Sequence, residues 1–351
     1  MNENGSSLKS SRFFAPGKLM IAGEYAVLGP EGEALAIAIN AGIEATICPS
    51  HQWQIVHQDL DLSWCEGAHP VPTDLHFAHH TWRTLMEMAP HPLPAQRIST
   101  RSVMMTHLPG KPGFGSSAST VVSITAAMLS LFSSSTSAHR LLETALNVHT
   151  QAQGQSGSGY DVATICLGGM VRWRPSIFKQ SGIAQSASEN IAWPDGLYFL
   201  VGYSGKSANT RQFIAKLQIL RSNAAQYLEA ELRQLAAPVH HLVNAFQNQT
   251  ISEILDAIPA CHQTLLNWDQ RNNLGIITPE VKQMLQDAQT IKVPAKISGA
   301  GGGDSIIALS DDPQRLGELT HLWEQHGFAT VPVSLCLNGV STNCYSTHPL
   351  S

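Results

Sequence analysis

The chain has 351 residues, 43% of them hydrophobic, and a mean hydropathy of −0.05. That is enough apolar side chain for a full core in about two domains at roughly 100–200 residues each, which excludes a disordered or merely solvating chain. The net charge is −5 and only 13% of residues are charged, so no global basic field exists to hold nucleic acid or an anionic membrane. An anionic ligand must be met by a few local charges and backbone amides.

Residues 1–10 read as a loose polar tail. Strand-like runs follow at 12–15 and 19–22, separated by Pro16-Gly17, and then at 36–40 and 42–48, rich in Ile, Val and Thr. A helix is predicted over 75–88, ending before the proline-rich loop Pro90–Pro94, and a strand over 98–105. Helices are predicted over 116–132 and 139–153; residues 160–166 continue into Gly168-Gly169, and a strand is predicted over 170–173. The stretch 180–190 lacks periodic apolar positions and reads as a linker. Beyond it come a strand at 197–203, helical blocks at 209–235, 251–267 and 278–290, and strands at 295–298 and 305–309. A helix at 313–326 and a strand at 330–336 close the series. This order predicts an α+β sandwich with helices on one face of an antiparallel sheet.

Cys48, Cys65, Cys166, Cys261, Cys336 and Cys344 are scattered, which argues against a disulfide framework and a clustered zinc site. The first fourteen residues lack the apolar core of a signal peptide. Residues 119–132 are apolar but broken by serines and too short to span a bilayer. A soluble cytoplasmic protein is expected, acting without nucleic acid or membrane, as a monomer or homodimer.

Three glycine-rich segments stand out. The first runs Lys111-Pro112-Gly113-Phe114-Gly115-Ser116-Ser117-Ala118-Ser119, between a predicted strand and helix. Its glycines permit close backbone approach, the helix amides form an anion site, and the serines add hydroxyls for phosphate or metal. It also fits G-x-G-x-x-A, but the acid expected about twenty residues on in a dinucleotide fold is missing. A plain turn with a serine-rich cap is the simpler alternative. The second, Ser298-Gly299-Ala300-Gly301-Gly302-Gly303-Asp304, holds more glycine than a hairpin needs and points to a closely approaching ligand or backbone. The third runs Gly17-Lys18-Leu19-Met20-Ile21-Ala22-Gly23-Glu24-Tyr25, where Lys18 either works or snorkels to the surface. Gly205-Lys206-Ser207 resembles a P-loop ending, but Leu200 stands where the first glycine would be. Lys206 and Arg211 still place two cations after a strand end. His76, His79 and His80 share a helical face with no acid or cysteine among them, which favours a plain surface over a metal patch.

In order and spacing, the three segments resemble the motifs of the GHMP kinase superfamily (galactokinases, homoserine kinases, mevalonate kinases and phosphomevalonate kinases). Within it, Gly23-Glu24-Tyr25-Ala26-Val27, Gly157-Ser158-Gly159-Tyr160-Asp161 and residues 168–173 and 199–208 are most similar to phosphomevalonate kinases. The resemblance implies a two-domain α+β fold: an N-terminal ribosomal-protein-S5-like domain over 11–185 and a C-terminal ferredoxin-like sandwich over 195–345. It also implies transfer of the ATP γ-phosphoryl group to phosphomevalonate, with Lys18 and Asp161 catalytic and Mg²⁺ on Ser117. Lys111, Gly113, Gly115, Ser116, Ala118 and Ser119 would hold the nucleotide. Glu24, Tyr25, Ser158, Gly159, Lys206, Ser207, Arg211, Ser298, Gly299, Ala300, Gly301 and Gly302 would hold the acceptor. Phe114 replaces the family's usual Leu, and residues 149–159 contain no carboxylate where mevalonate kinases carry a Mg²⁺ ligand. Mg²⁺ is then held by Ser117, phosphate and water alone, or with help from Gln153. The alternatives are a kinase acting on mevalonate or another alcohol, and a non-catalytic metabolite-binding relative.

Overall fold

Two long antiparallel strands, β1 (Ser10–Ala22) and β2 (Ala34–Pro49), form the spine of the molecule. The Pro16-Gly17 break expected from the sequence is instead a register shift inside one continuous strand, with a second shift between Met20 and Ala22. A bulge lets a strand carry proline and glycine without ending. The computed structural model describes residues 10–104, 112–133, 136–154, 157–206, 210–303 and 305–345.

Around the spine, β3 (Gln54–His57), β4 (Leu62–Cys65), β5 (Gln96–Val103) and β12 (Ser341–Tyr345) complete the order β12-β1-β2-β5-β3-β4. Strand β6 (Met170–Trp173) pairs with β2, and β7 (Ser188–Ile191) pairs with β6. Helices α1 (His76–Met88), α2 (Ser116–Phe132), α3 (Ala138–Ala152) and α4 (Tyr160–Leu167) pack with this sheet, α2 and α4 directly on β1 and β2. Their core holds Ile55, Trp64, Trp82, Ile98, Val122, Met128, Leu142 and Trp173.

The predicted linker at 180–190 is not one. Helices α5 (Pro175–Ser181) and α6 (Ala184–Ala187) and strand β7 occupy it, and Ala184 and Ala187 are buried. The second sheet comprises β8 (Tyr198–Tyr203), β9 (Ala295–Ile297), β10 (Ser305–Ser310) and β11 (Ala329–Val331) in the antiparallel order β11-β8-β10-β9. In chain order that is 4-1-3-2, the ferredoxin-like arrangement. Helices α7 (Thr210–Asn223), α8 (Ala225–Gln247), α9 (Ile251–Asn272) and α10 (Pro279–Thr290) connect β8 to β9, and α11 (Pro313–Gln325) connects β10 to β11. Helix α8 runs well past the predicted end at 235, through Pro238, because Val239, Leu242, Val243 and Phe246 continue its buried face.

The predicted strand at 330–336 shortens to β11, with a separate bridge from Leu335 to Ile39. The grouping of 195–345 as one unit also needs correction, since β12 pairs antiparallel with β1 in the first sheet. One continuous core joins Leu19, Ile37 and Ile39 of the first sheet to Val201, Tyr203 and Ile306 of the second, and to Phe246 and Trp268 of the helices. No helix among the described residues is long and apolar enough to cross a membrane.

Candidate active site

Lys18 lies in the middle of β1 and is only 6% exposed. Its backbone N–H donates to the Phe114 carbonyl at 2.9 Å, and its Nζ donates to the Gly113 carbonyl at 2.8 Å. The first glycine segment is thereby seated on the lysine. Gly115 caps α2 in the left-handed region at φ +79°, where a Cβ would stand 3.1 Å from Lys18 Cγ. Both its conformation and its contact exclude a side chain. Helix α2 has no capping side chain and no acid in its first turn, so its N-terminal amides and dipole favour an anion. Ser116 and Ser117 sit half-buried on that turn.

Ala118 and Ser119 face inward. The Ser119 hydroxyl donates to the Pro16 carbonyl at 2.8 Å and the Gly115 carbonyl at 3.2 Å, fastening α2 to β1. It acts as an internal fastener rather than as an open phosphate ligand.

Helix α4 brings Asp161, whose Oδ1 accepts the Val162 N–H at 2.9 Å. Gly159 caps this helix, and the Trp173 indole N–H holds the preceding turn by donating to the Ser158 carbonyl at 2.7 Å. Tyr160 lies beneath Lys18, with Nζ 5.3 Å from the ring centroid and hydrogen-bonded to the phenol. Burial pushes the Tyr160 hydroxyl up, opposed by Lys18 and reinforced by Asp161 and Glu24. The phenol therefore stays protonated. Gln153 lies within 3.3 Å of His149 through its side-chain nitrogen.

The second glycine segment is laced to the others. Ser298 Oγ accepts the Met20 N–H at 2.9 Å, and the Tyr25 hydroxyl donates to the Ala300 carbonyl at 2.5 Å. Ser305 Oγ donates to the Pro112 carbonyl at 2.6 Å, and Ser204 Oγ to the Gly303 carbonyl. Gly301, at φ +80°, leaves 2.2 Å between a hypothetical Cβ and Ile276 Cγ2, so only glycine passes there. Further along the loop, the Gly302 N–H donates to the Ile276 carbonyl at 2.7 Å, while Gly299 takes a positive φ of +112°.

Glu24 is buried, and its carboxylate accepts from the fully buried Lys296, which also donates to the Ile297 carbonyl at 2.6 Å. Lys206 pairs with Glu280 at 2.5 Å, and that ammonium, helped by a backbone amide and Thr278, brings Glu280 down to about 2. Arg211 falls in the first turn of α7, while Lys111, Ser207 and Asp304 lie outside the described residues.

Sequence reasoning missed Lys296, Glu280, Tyr160 and Trp173. Only Tyr160 and Trp173 carried a signal, by adjoining a glycine motif. Among the described residues no three His, Cys, Asp or Glu side chains gather as a metal cage.

Residues 78–169 match the family model for the GHMP kinases N terminal domain, and residues 242–327 the model for GHMP kinases C terminal. A phosphomevalonate kinase of Streptomyces sp. (strain CL190) is 25% identical, the match covering 93% of this chain and 97% of that protein. A mevalonate kinase of Pyrococcus abyssi is 23% identical over 86% of this chain and 89% of its own. The solved structure of Streptococcus pneumoniae phosphomevalonate kinase, in complex with phosphomevalonate and AMPPNP, superposes with a TM-score of 0.75. It is 24% identical and covers 93% of this chain and 99% of its own.

Proposed function

Because this chain belongs to the GHMP kinase family, we propose that it transfers the γ-phosphoryl group of ATP to phosphomevalonate, giving the diphosphate. The observation that carries the reading is the buried Lys18 ammonium beside the uncapped N-terminus of α2. A buried cation and free helix amides suit the meeting of two polyanions. End-to-end similarity to a phosphomevalonate kinase supports the choice of acceptor.

The chemistry divides among few groups. The α2 amides with Ser116 and Ser117 bind the nucleotide phosphates, and the Ser117 hydroxyl is the chain's donor to Mg²⁺. That ion, when bound, neutralises charge on the phosphates. Lys18 spans the acceptor oxygen and the transferred group, where charge builds in the transition state. Lys206 and Arg211, beyond β8, are the candidate cations for the acceptor's own phosphate. A phosphomonoester is already ionised near pH 7, since its second pKa is about 6, so no general base is required. Asp161 then balances charge and geometry.

Ser117→Ala is expected to lower kcat/KM for Mg·ATP by about 10²–10³-fold, the usual cost of one lost transition-state contact. An unchanged value would remove Ser117 from the site.

The acceptor is tested by coupled ADP release with mevalonate and phosphomevalonate side by side, on the wild type and Asp161→Asn. With phosphomevalonate, kcat should rise through about pH 6 with the acceptor's ionisation. Asp161→Asn should stay within about tenfold, the scale of a screened charge contact. With an alcohol acceptor Asp161 is the natural base, and its loss costs about 10²–10⁴-fold. Turnover of mevalonate alone, with a loss of that size, overturns the phosphomevalonate reading.

A further inference from the structure

Lys296 is the most deeply buried cation among the described residues, at 0% exposed, and none of the steps above uses it. It sits on β9, two residues before Ser298, and its ammonium is spent on Glu24 and on the Ile297 carbonyl. Glu24 lies in the turn that ends the Lys18 strand, next to Tyr25, which is held at φ +60° with its ring 4.9 Å from Trp268. The pair thus ties the third glycine segment to the strand that leads into the second, alongside the Met20–Ser298 and Tyr25–Ala300 hydrogen bonds. It also lies within electrostatic reach of the reacting centre, since Tyr160 responds to both Lys18 and Glu24.

We propose that Lys296 is a positioning residue that cancels the Glu24 charge, so that a buried carboxylate can brace the glycine loop without repelling the polyanions gathered at Lys18. The inference rests on the kinase reading, which needs an anion-attracting site. Without Lys296, Glu24 stands as an uncompensated negative charge in the wall of that site. An interior that disfavours the charged form makes such a carboxylate take up a proton as pH falls. With Lys296 in place, the other groups facing the pair are neutral between pH 6 and 8.5. Burial holds the Cys261 thiol of α9 up at about 12, burial and Lys296 hold the adjacent His262 down at about 4, and Tyr160 of α4 is raised. Removing Lys296 also removes part of what holds His262 down, so only a pH dependence that disappears when Glu24 is neutralised as well is assigned to Glu24.

The test is binding of AMPPNP with Mg²⁺, by calorimetry from pH 6 to 8.5, to the wild type, Lys296→Met and Glu24→Gln/Lys296→Met, with melting temperatures alongside. Lys296→Met should bind progressively more weakly as pH rises, on the order of tenfold across the range relative to wild type. The double variant should lose that dependence and bind within about threefold of wild type, because a neutral pair replaces the ionic one. A purely structural role would weaken binding evenly with pH, and that result overturns the proposal. Should Lys296→Met fail to fold, the double variant decides, and a folded double variant binding more than tenfold weaker also overturns it. Wild-type binding of AMPPNP without turnover of phosphomevalonate sinks the acceptor assignment alone. No binding by the wild type overturns both.

Discussion

Lys18→Met is expected to fold normally and to lose about 10²–10³-fold in kcat, the scale of removing one preorganised donor aimed at developing charge. Methionine keeps the unbranched stem that packs against Gly115, so little volume changes. What goes is the ammonium that donates to Gly113 and lies over Tyr160. Two polyanions must then approach without their buried counter-charge, and the loss should appear with both acceptors. A circular dichroism melt within a few degrees of wild type, beside the kinetic loss, separates the chemistry from unfolding. A kcat within tenfold of wild type would show that Lys18 only packs.

Trp173→Ala carries the largest expected cost in stability. The side chain is fully buried in the first-sheet core, lies tilted against Phe178 with ring centroids 5.6 Å apart, and donates to the Ser158 carbonyl. Emptying that volume costs about 3–5 kcal/mol, out of the 5–15 kcal/mol that holds a typical domain. Urea titration should show a clear fall in midpoint. Trp173→Phe keeps most of the ring and deletes the indole donor, worth about 0.5–1.5 kcal/mol. It should lower kcat more than its small stability loss suggests, because the Ser158-Gly159 turn that presents Asp161 loses its tie. If Trp173→Ala costs under about 1 kcal/mol, the site can collapse around the gap and the turn has other support.

Much of the fold was legible wherever a long periodic or capped segment spoke for itself. Helix α2 starts after Gly115 and ends at Phe132, and β6 covers Met170–Trp173, both as the sequence predicts. The failures have physical causes. Strands β3 and β4 are four residues each, too short for alternation to register. Strand β12 joins the sheet through its backbone, and its sequence Ser-Thr-Asn-Cys-Tyr has no apolar run to announce it. The segment at 180–190 buries alanines, which carry no hydrophobic signature strong enough to distinguish a packed turn from a linker. The predicted helix end at 235 fell short because tertiary burial carries α8 on through Pro238 against local propensity.

The candidate site was readable as motifs and unreadable as pairs. Glycine runs announce close approach, so Gly115 and Gly301 pointed correctly to crowded positions. No local pattern announces that Glu24 meets a lysine 272 residues away, or that Lys206 meets Glu280. Nor does a serine in a glycine motif reveal whether its hydroxyl faces a ligand, as Ser119 shows by turning inward.

The apolar core shared by the two sheets bears on how the molecule moves. Halves joined by a thin polar contact swing as rigid bodies, whereas a large apolar junction suppresses such swings. Leu19 and Ile39 pack in the same cluster as Val201 and Ile306, and β12 returns from the second half to bind the edge of β1. A clam-shell opening would have to tear that core and unzip that strand. Entry and exit must instead use local rearrangements of the segments around Lys18. Turnover would then be paced by how quickly product escapes through those local openings.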